Sequence, residues 1–115
     1  MEKLINRIRL FNKERDWEQF HTPKNLAMSL VVEVAEIIEL FQWMPEEQIN
    51  FHDSSLLSQL EEEIGDVMIY LTNLADKFNI NPLEAANKKI DINNIKYPAN
   101  IVKGKSDKYT HYLND

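Results

Sequence analysis

The stretch LAMSLVVEVAEIIELF, residues 26–41, is apolar at most positions and contains neither glycine nor proline. A helix that is apolar on almost every side is normally buried. Glu33 and Glu36 nevertheless stand in its middle, three residues apart, and residues at that spacing share one face of a helix. Glu39 extends the same acidic stripe by one more step. The stretch therefore predicts a largely buried helix that carries carboxylates.

A second stretch, residues 60–74, repeats this arrangement. Glu63 and Asp66 lie three residues apart, with Glu62 beside them. The apolar face of this helix would consist of Leu60, Ile64, Val67, Met68, Leu71 and Leu74. Gly65 stands between the two acids, and a glycine inside a helix costs about 1 kcal/mol relative to alanine. We therefore expect Gly65 to mark the close approach of a neighbouring backbone.

The rest of the chain predicts four helices and an arm. Thr22-Pro23 and Asn81-Pro82 are typical helix starts. We expect helices over about Lys3–Phe20, Pro23–Trp43, Leu56–Phe78 (capped by Ser54 or Ser55) and Pro82–Ile92, a helical turn at Glu46–Asn50, and an irregular arm beyond Asn93. Four helices around one core predict an all-α, four-helix-bundle-like fold with a single domain over residues 1–115.

Composition excludes several classes of protein. The chain has 115 residues, 2 Gly, 4 Pro and no Cys, which argues against a many-stranded sandwich, a disulfide framework and a thiol nucleophile. No apolar stretch approaches the roughly 20 residues that span a membrane, and the first residues lack the pattern of a signal peptide. We therefore expect a soluble, cytoplasmic protein with no membrane partner.

Charge is divided unevenly along the chain. Residues 1–87 hold 7 Lys or Arg against 16 Asp or Glu, whereas residues 88–115 hold 6 Lys against 3 Asp. An acidic body argues against a protein that coats nucleic acid nonspecifically, so we expect no nucleic-acid partner. The basic end is either a solvated tail or a set of cations for an anionic ligand.

The acidic pairs lack basic partners. No Lys or Arg occurs between Asn25 and Asp76, and burying an unpaired carboxylate costs several kcal/mol. Oxygen-only ligands suit a hard cation, Mg²⁺ first and Mn²⁺ next, and Mg²⁺ in turn suits phosphate substrates. Two interpretations stay open from these residues alone: a metal centre, or a solvated acidic stripe on an amphipathic bundle. A di-iron centre would need two Glu-x-x-His pairs, and only Glu18-x-x-His21 is present.

Several motifs together resemble one known family. They are EVAE (33–36), EIGD (63–66), RDWEQFHTPKNL (15–26), ELFQW (39–43), DVMIYL (66–71), and KYP (96–98) followed by KGKSDKY (103–109). The chain resembles the MazG-like all-α nucleoside triphosphate pyrophosphohydrolases, and in particular their compact dCTP pyrophosphatase branch. The likeness covers most of the chain.

The resemblance implies hydrolysis between the α and β phosphates of a nucleoside triphosphate, dCTP or a modified dCTP, giving the monophosphate and pyrophosphate. It implies Mg²⁺ ligands at Glu33, Glu36, Glu63 and Asp66, with Glu36 or Glu39 as the general base. It implies a nucleobase site formed by Trp17, Glu18, Gln19, Phe20, His21, Trp43 and Tyr70. It implies phosphate contacts from the basic arm at Lys88, Lys96, Lys103, Lys108 and Tyr109. It also implies a homotetramer built as a pair of dimers.

Two alternative functions stay open. One is a pyrophosphohydrolase for other, non-canonical nucleoside triphosphates. The other is a non-catalytic helical module that binds metal or nucleotide. Four carboxylates on apolar helices favour an enzyme, because a module without chemistry has little reason to keep them.

Overall fold

The computed structural model describes residues 1–104 and is helical, with no strand in that range. Its helices are α1 (Glu2–Glu14), α2 (Pro23–Phe41), α3 (Ser54–Lys77), α4 (Pro82–Lys96) and α5 (Ala99–Val102), with short 3₁₀ turns at Glu18–Phe20 and Glu46–Gln48. The prediction of an all-α fold is confirmed. None of the described helices combines the length and the apolar character needed to cross a membrane.

The chain divides into two compact units, residues 1–81 and residues 82–115. In the first unit α3 is central, because it packs along α2 and also contacts α1. In the second unit α4 begins at Pro82, as predicted, but continues to Lys96 instead of ending near Ile92, and α5 adds one further turn. The predicted single domain therefore stays a prediction.

The first helix ends earlier than predicted. It stops at Glu14, because Asp16 adopts a left-handed backbone conformation (φ 54°) that aspartate tolerates better than most residues. The Trp17 N–H then donates back to the Asn12 carbonyl at 3.0 Å. This reversal lays the Trp17 ring edge-on against Phe11, with centroids 5.5 Å apart, instead of continuing the helix toward Phe20.

Side-chain caps define the starts of the two long helices. The Thr22 hydroxyl accepts from the Asn25 N–H at 3.2 Å at the start of α2, as predicted. The cap of α3 is Asp53, not Ser54 or Ser55, and its Oδ1 accepts from the N–H groups of Ser55 and Leu56. The Asp53 carboxylate thereby satisfies two of the free N–H groups in the first turn of α3.

An ion pair connects α1 to the last turn of α3. The Arg9 guanidinium donates to both oxygens of Asp76, at 2.8 and 2.6 Å. The hydrogen bond from Arg9 keeps the pKa of Asp76 below its usual value. Just beyond this pair, Asn79 is left-handed (φ 55°) and ends the helix.

The described core is small for so apolar a chain. Among residues 1–104, Ile8 and Leu26 are the apolar side chains classed as buried. Large apolar side chains on α2 remain exposed in the single chain, at 57% for Met28, 68% for Val31 and 57% for Ile38. Successive members of this set lie three and then seven positions apart, which keeps them on one side of the helix. Monomeric soluble proteins rarely expose such a contiguous stripe.

Candidate metal centre and adjoining cleft

The packing of α2 against α3 brings two acidic pairs together. Glu33 and Glu36 come from α2, and Glu63 and Asp66 come from α3. One carboxylate oxygen from each residue lies within 4.8 Å of one such oxygen from every other, and all four side chains are half-buried. The i, i+3 spacing presents each pair on one helix face, and contact between the helices turns two pairs into one cluster.

The cluster has a shortage of positive charge. One carboxylate oxygen each of Glu33 and Glu63 is buried and has no hydrogen-bond partner within residues 1–104. Burial, followed by the nearby charge of Glu36, raises the pKa of Glu33 above its usual value. The hydrogen bond with Glu36, followed by burial, raises the pKa of Glu63 to about 7. Both shifts mean that the cluster resists carrying its full negative charge.

These features fit a bound cation. Oxygen atoms at this spacing and unpartnered buried carboxylates are what a hard divalent ion satisfies by coordination. The acidic cluster could therefore hold a metal ion, and the four residues would be its ligands. Gly65, between Glu63 and Asp66, does not show the expected close approach, because a Cβ atom built there meets no described atom within 4 Å.

A cleft of about 170 Å³ adjoins the cluster. Its lining residues are Phe11, Asn12, Trp17, His21, Asp66, Ile69, Tyr70 and Asn73. Asp66 belongs to both the cluster and the cleft. The Trp17 ring stands edge-on to His21, with centroids 6.3 Å apart. Three of the residues predicted to contact a nucleobase, namely Trp17, His21 and Tyr70, therefore meet beside a predicted metal ligand.

Other predicted site residues lie elsewhere. Trp43, after the end of α2, is 87% exposed, and Phe20 is 60% exposed. The Gln19 amide donates to the backbone and side chain of Asp16, and Glu18 is exposed. Glu39 is also exposed. Within the described residues, none of these five side chains belongs to the carboxylate cluster, and none lines the cleft. Their roles stay predictions.

The basic arm belongs to the second unit. Lys88 and Lys96 are on α4, and Lys103 follows α5. Lys108 and Tyr109 lie outside the described residues. Contact between these side chains and a phosphate therefore stays a prediction.

The sequence reasoning missed two asparagines that line the cleft. Asn12 is 7% exposed and Asn73 is 5% exposed, which is unusual for an amide side chain. A signal was present for Asn73, because it lies three residues after Tyr70 and seven after Asp66, on the same face of α3. Asn12 likewise continues the face of Ile8, one turn later.

A comparison with protein families agrees with the site. The model of the MazG-like family matches residues 28–111, which include the four carboxylates. The chain belongs to the MazG-like family. Membership rests on the acidic helices and most of the chain after them.

Curated relatives of this MazG-like chain carry a specific name. Two are called dCTP pyrophosphatase 1: the human protein is 44% identical and the Bos taurus protein is 43% identical, each over 102 residues. Each alignment covers 87% of this chain and 60% of the relative, so the chain spans about 60% of the length of the curated relatives it matches.

A solved structure supports the fold. The chain is similar to a pyrophosphatase from Archaeoglobus fulgidus, with a TM-score of 0.74 and 44% sequence identity. The match covers 85% of this chain and 92% of that protein. The fold described above is therefore one that this solved pyrophosphatase shares.

Proposed function

We propose that this protein is a Mg²⁺-dependent pyrophosphohydrolase that converts dCTP, or a modified dCTP, to the monophosphate and pyrophosphate. The observation that carries the proposal is the position of Asp66, which is shared by the carboxylate cluster and the aromatic cleft. A nucleotide bound with its base in the cleft would have its phosphates near the cluster. The names of the curated relatives and of the solved relative support the reaction class.

The four carboxylates would hold Mg²⁺, with Mn²⁺ as a substitute. Bound there, the ion would supply positive charge to the phosphate oxygens and to a reacting water. The carboxylates on α2 would orient that water and accept its proton. Glu36 belongs to the cluster and is our first candidate for the base, with Glu39 one turn later as the second.

The reaction balances without any further reactant. The oxygen of water bonds to the α-phosphorus, and the bond between that phosphorus and the bridging oxygen breaks. Pyrophosphate leaves with the bridging oxygen, and the proton of the water passes to the carboxylate base. The product in the cleft is the nucleoside monophosphate.

The aromatic rings of the cleft would bind the base. Trp17 and Tyr70 offer flat surfaces for contact with a nucleobase, and His21 offers a polar atom for its edge. The lysines of the second unit would contact the triphosphate. Deletion of residues 96–115 should then raise the KM for the nucleotide strongly, and an unchanged KM would remove the arm from substrate binding.

Self-association is part of the proposal. The exposed apolar stripe of α2, defined by Met28, Val31 and Ile38, supports burial against a second copy in a homotetramer. Val31→Asp should shift the mass in solution, measured by light scattering, toward smaller species. An unchanged mass would show that this stripe does not mediate assembly. We also propose that the protein acts in the cytoplasm.

Pyrophosphate release tests the activity. The wild-type protein is incubated with ribo-, deoxy- and 5-substituted nucleoside triphosphates, in Mg²⁺ and in EDTA. Release that requires Mg²⁺ and is fastest for dCTP or its 5-substituted forms supports the proposal. A maximum on a different, non-canonical nucleotide would identify another substrate for the same chemistry. If the folded protein releases no pyrophosphate, the alternative of a non-catalytic module that binds metal or nucleotide is favoured.

A matched pair of variants assigns that activity to the cluster. Glu36→Gln should abolish release, because it removes a proposed ligand and base while keeping the shape of the side chain. Glu62→Gln makes the same chemical change at an exposed position of α3 outside the cluster and should leave release close to the wild-type rate. Equal rates for the two variants would remove Glu36 from the mechanism.

A further inference from the structure

A buried polar contact lies at the side of the cleft. The Asn73 amide nitrogen is 3.1 Å from His21 Nδ1. Asn73 is 5% exposed on α3, so packing restrains its side chain. With the amide nitrogen facing the ring, Asn73 donates and Nδ1 accepts. The proton of a neutral His21 ring then resides on Nε2.

The surroundings hold the His21 ring in place. Its backbone N–H donates to the Glu18 carbonyl at 3.2 Å, and the ring stands edge-on to Trp17. Burial, and then the nearby charge of Lys77, lower the pKa of His21 below its usual value. The ring is therefore neutral at neutral pH. Its Nε2 has no hydrogen-bond partner within residues 1–104 and retains some exposure to solvent.

A neutral ring with a fixed tautomer offers one directional donor. Cytosine, thymine and uracil all present O2 as an acceptor, but they differ at N3, which is an acceptor in cytosine and carries a hydrogen in thymine and uracil. An Nε2–H group aimed at N3 therefore pairs with cytosine and opposes the N3–H of thymine. The opposite tautomer would present an acceptor at Nε2 and reverse this preference.

We propose that Asn73 is a positioning residue that holds His21 as its Nε2–H tautomer, so that the cleft offers a fixed N–H donor to the N3 acceptor of a cytosine base. The choice of ligand rests on the proposed function. The tautomer does not, because it is a property of the protein without substrate. Asn73 acts through His21 and need not touch the nucleotide.

The tautomer is measured first, by long-range ¹⁵N–¹H NMR of the full, ligand-free chain at pH 7.5. The chain has three histidines, and the His21 signals are assigned by their loss in His21→Gln. We expect the pattern of an Nε2–H imidazole in the wild type. A pattern of Nδ1–H imidazole would overturn the inference, since Nδ1 would then be the donor.

Two aspartate variants test the role of Asn73. In Asn73→Asp, a carboxylate can only accept, so His21 should carry its proton on Nδ1, either as the other tautomer or as imidazolium. Asn12→Asp introduces the same charge into the same cleft from α1 and should keep the Nε2–H pattern. If the tautomer changes in both variants, negative charge in the cleft is the cause, and the positioning role of Asn73 is overturned. If the aspartate variant fails to fold, Asn73→Leu removes the donor at a similar size and should give a mixture of the two neutral tautomers, whereas an unchanged Nε2–H pattern would overturn the role of Asn73.

Kinetics with dCTP and dTTP test recognition. At a pH where the NMR pattern of Asn73→Asp is that of the neutral Nδ1–H ring, the loss of one well-placed hydrogen bond should raise the KM for dCTP about fivefold to tenfold and leave kcat within about twofold. The KM for dTTP should rise less, so the preference for dCTP falls. A switched tautomer with an unchanged KM ratio would overturn the recognition step.

Failure of the proposed function gives a different result. If the wild type releases no pyrophosphate, dCTP and dTTP are titrated into the labelled protein and the shift of the His21 Nε2 signal is followed. A shift with dCTP at lower concentration than with dTTP supports the inference for a binding module. Equal responses, or none, overturn it.

Discussion

Removing one charge from the carboxylate cluster should stabilise the metal-free protein and weaken its response to metal. The change is Glu36→Gln, which retains the size of the side chain and removes one negative charge. Burial is the largest cause for Glu33 and the hydrogen bond with Glu36 for Glu63, and the charge of Glu36, like that of Asp66, raises the pKa of both. The prediction is a reversal of the stability order of wild type and variant on addition of Mg²⁺.

The magnitude follows from the spacing of the oxygens. Two unit charges 4.8 Å apart repel by about 0.9 kcal/mol in water and about 3.5 kcal/mol at an effective dielectric constant of 20. The side chains are half-buried, so we expect the metal-free variant to gain about 1–2 kcal/mol at pH 8.5. For a chain of this size that is a rise in Tm of about 4–8 °C.

Addition of Mg²⁺ should reverse the order. A ligand at 100 times its Kd stabilises the folded state by about 2.7 kcal/mol. The wild type should gain this amount, and the variant, which lacks one carboxylate ligand, should gain less. The assay is thermal unfolding at one fixed protein concentration, in EDTA and in a Mg²⁺ series. Glu62→Gln is the control, because it should match the wild type in both conditions.

The effect should depend on pH with a definite sign. The pKa of Glu63 is raised from 4.5 to about 7 in the folded protein. Between these values the metal-free native state binds more protons than the unfolded chain, so its free energy of unfolding falls as the pH rises. At pH 5.5 the gain from Glu36→Gln should therefore shrink. An unchanged or lower Tm of the variant in EDTA at pH 8.5 would refute the repulsive cluster and favour a solvated acidic stripe.

Four further substitutions test other features. Gly65→Ala should raise the free energy of unfolding by about 1 kcal/mol in urea titration, since a Cβ there meets no described atom within 4 Å. A lower free energy of unfolding would indicate that a neighbouring subunit occupies that position. Thr72→Val should stabilise the protein by about 1 kcal/mol, because its hydroxyl is buried without a hydrogen-bond partner among residues 1–104. The same change in Thr22→Val should cost about 1 kcal/mol, because it removes a helix cap. Arg9→Met should lower the urea midpoint at pH 7. The difference from the wild type should vanish as the pH falls through the lowered pKa of Asp76, because that carboxyl then protonates. An equally lowered urea midpoint at low pH would assign the effect to packing.

Periodicity predicted the helices better than their ends. The apolar runs and the two proline starts located α2, α3 and the beginning of α4. The end of α1 was wrong because the apolar spacing continues through Trp17, while the backbone reverses at Asp16. A single left-handed residue decides that end, and aspartate adopts this conformation only in some contexts.

The sequence by itself determined the all-α fold and the pairing of carboxylates within α2 and within α3, because the spacing of residues along one helix fixes which side chains share a face. Only the tertiary structure decided that the two pairs form one cluster, that Asp66 also lines a cleft, and that Asn73 reaches His21, 52 residues away in sequence. Those contacts depend on how α3 packs against α2 and on the turn after α1. Helix packing follows from the side chains of several elements together, and the turn after α1 follows from the backbone conformation of Asp16, so the apolar period predicts neither of them.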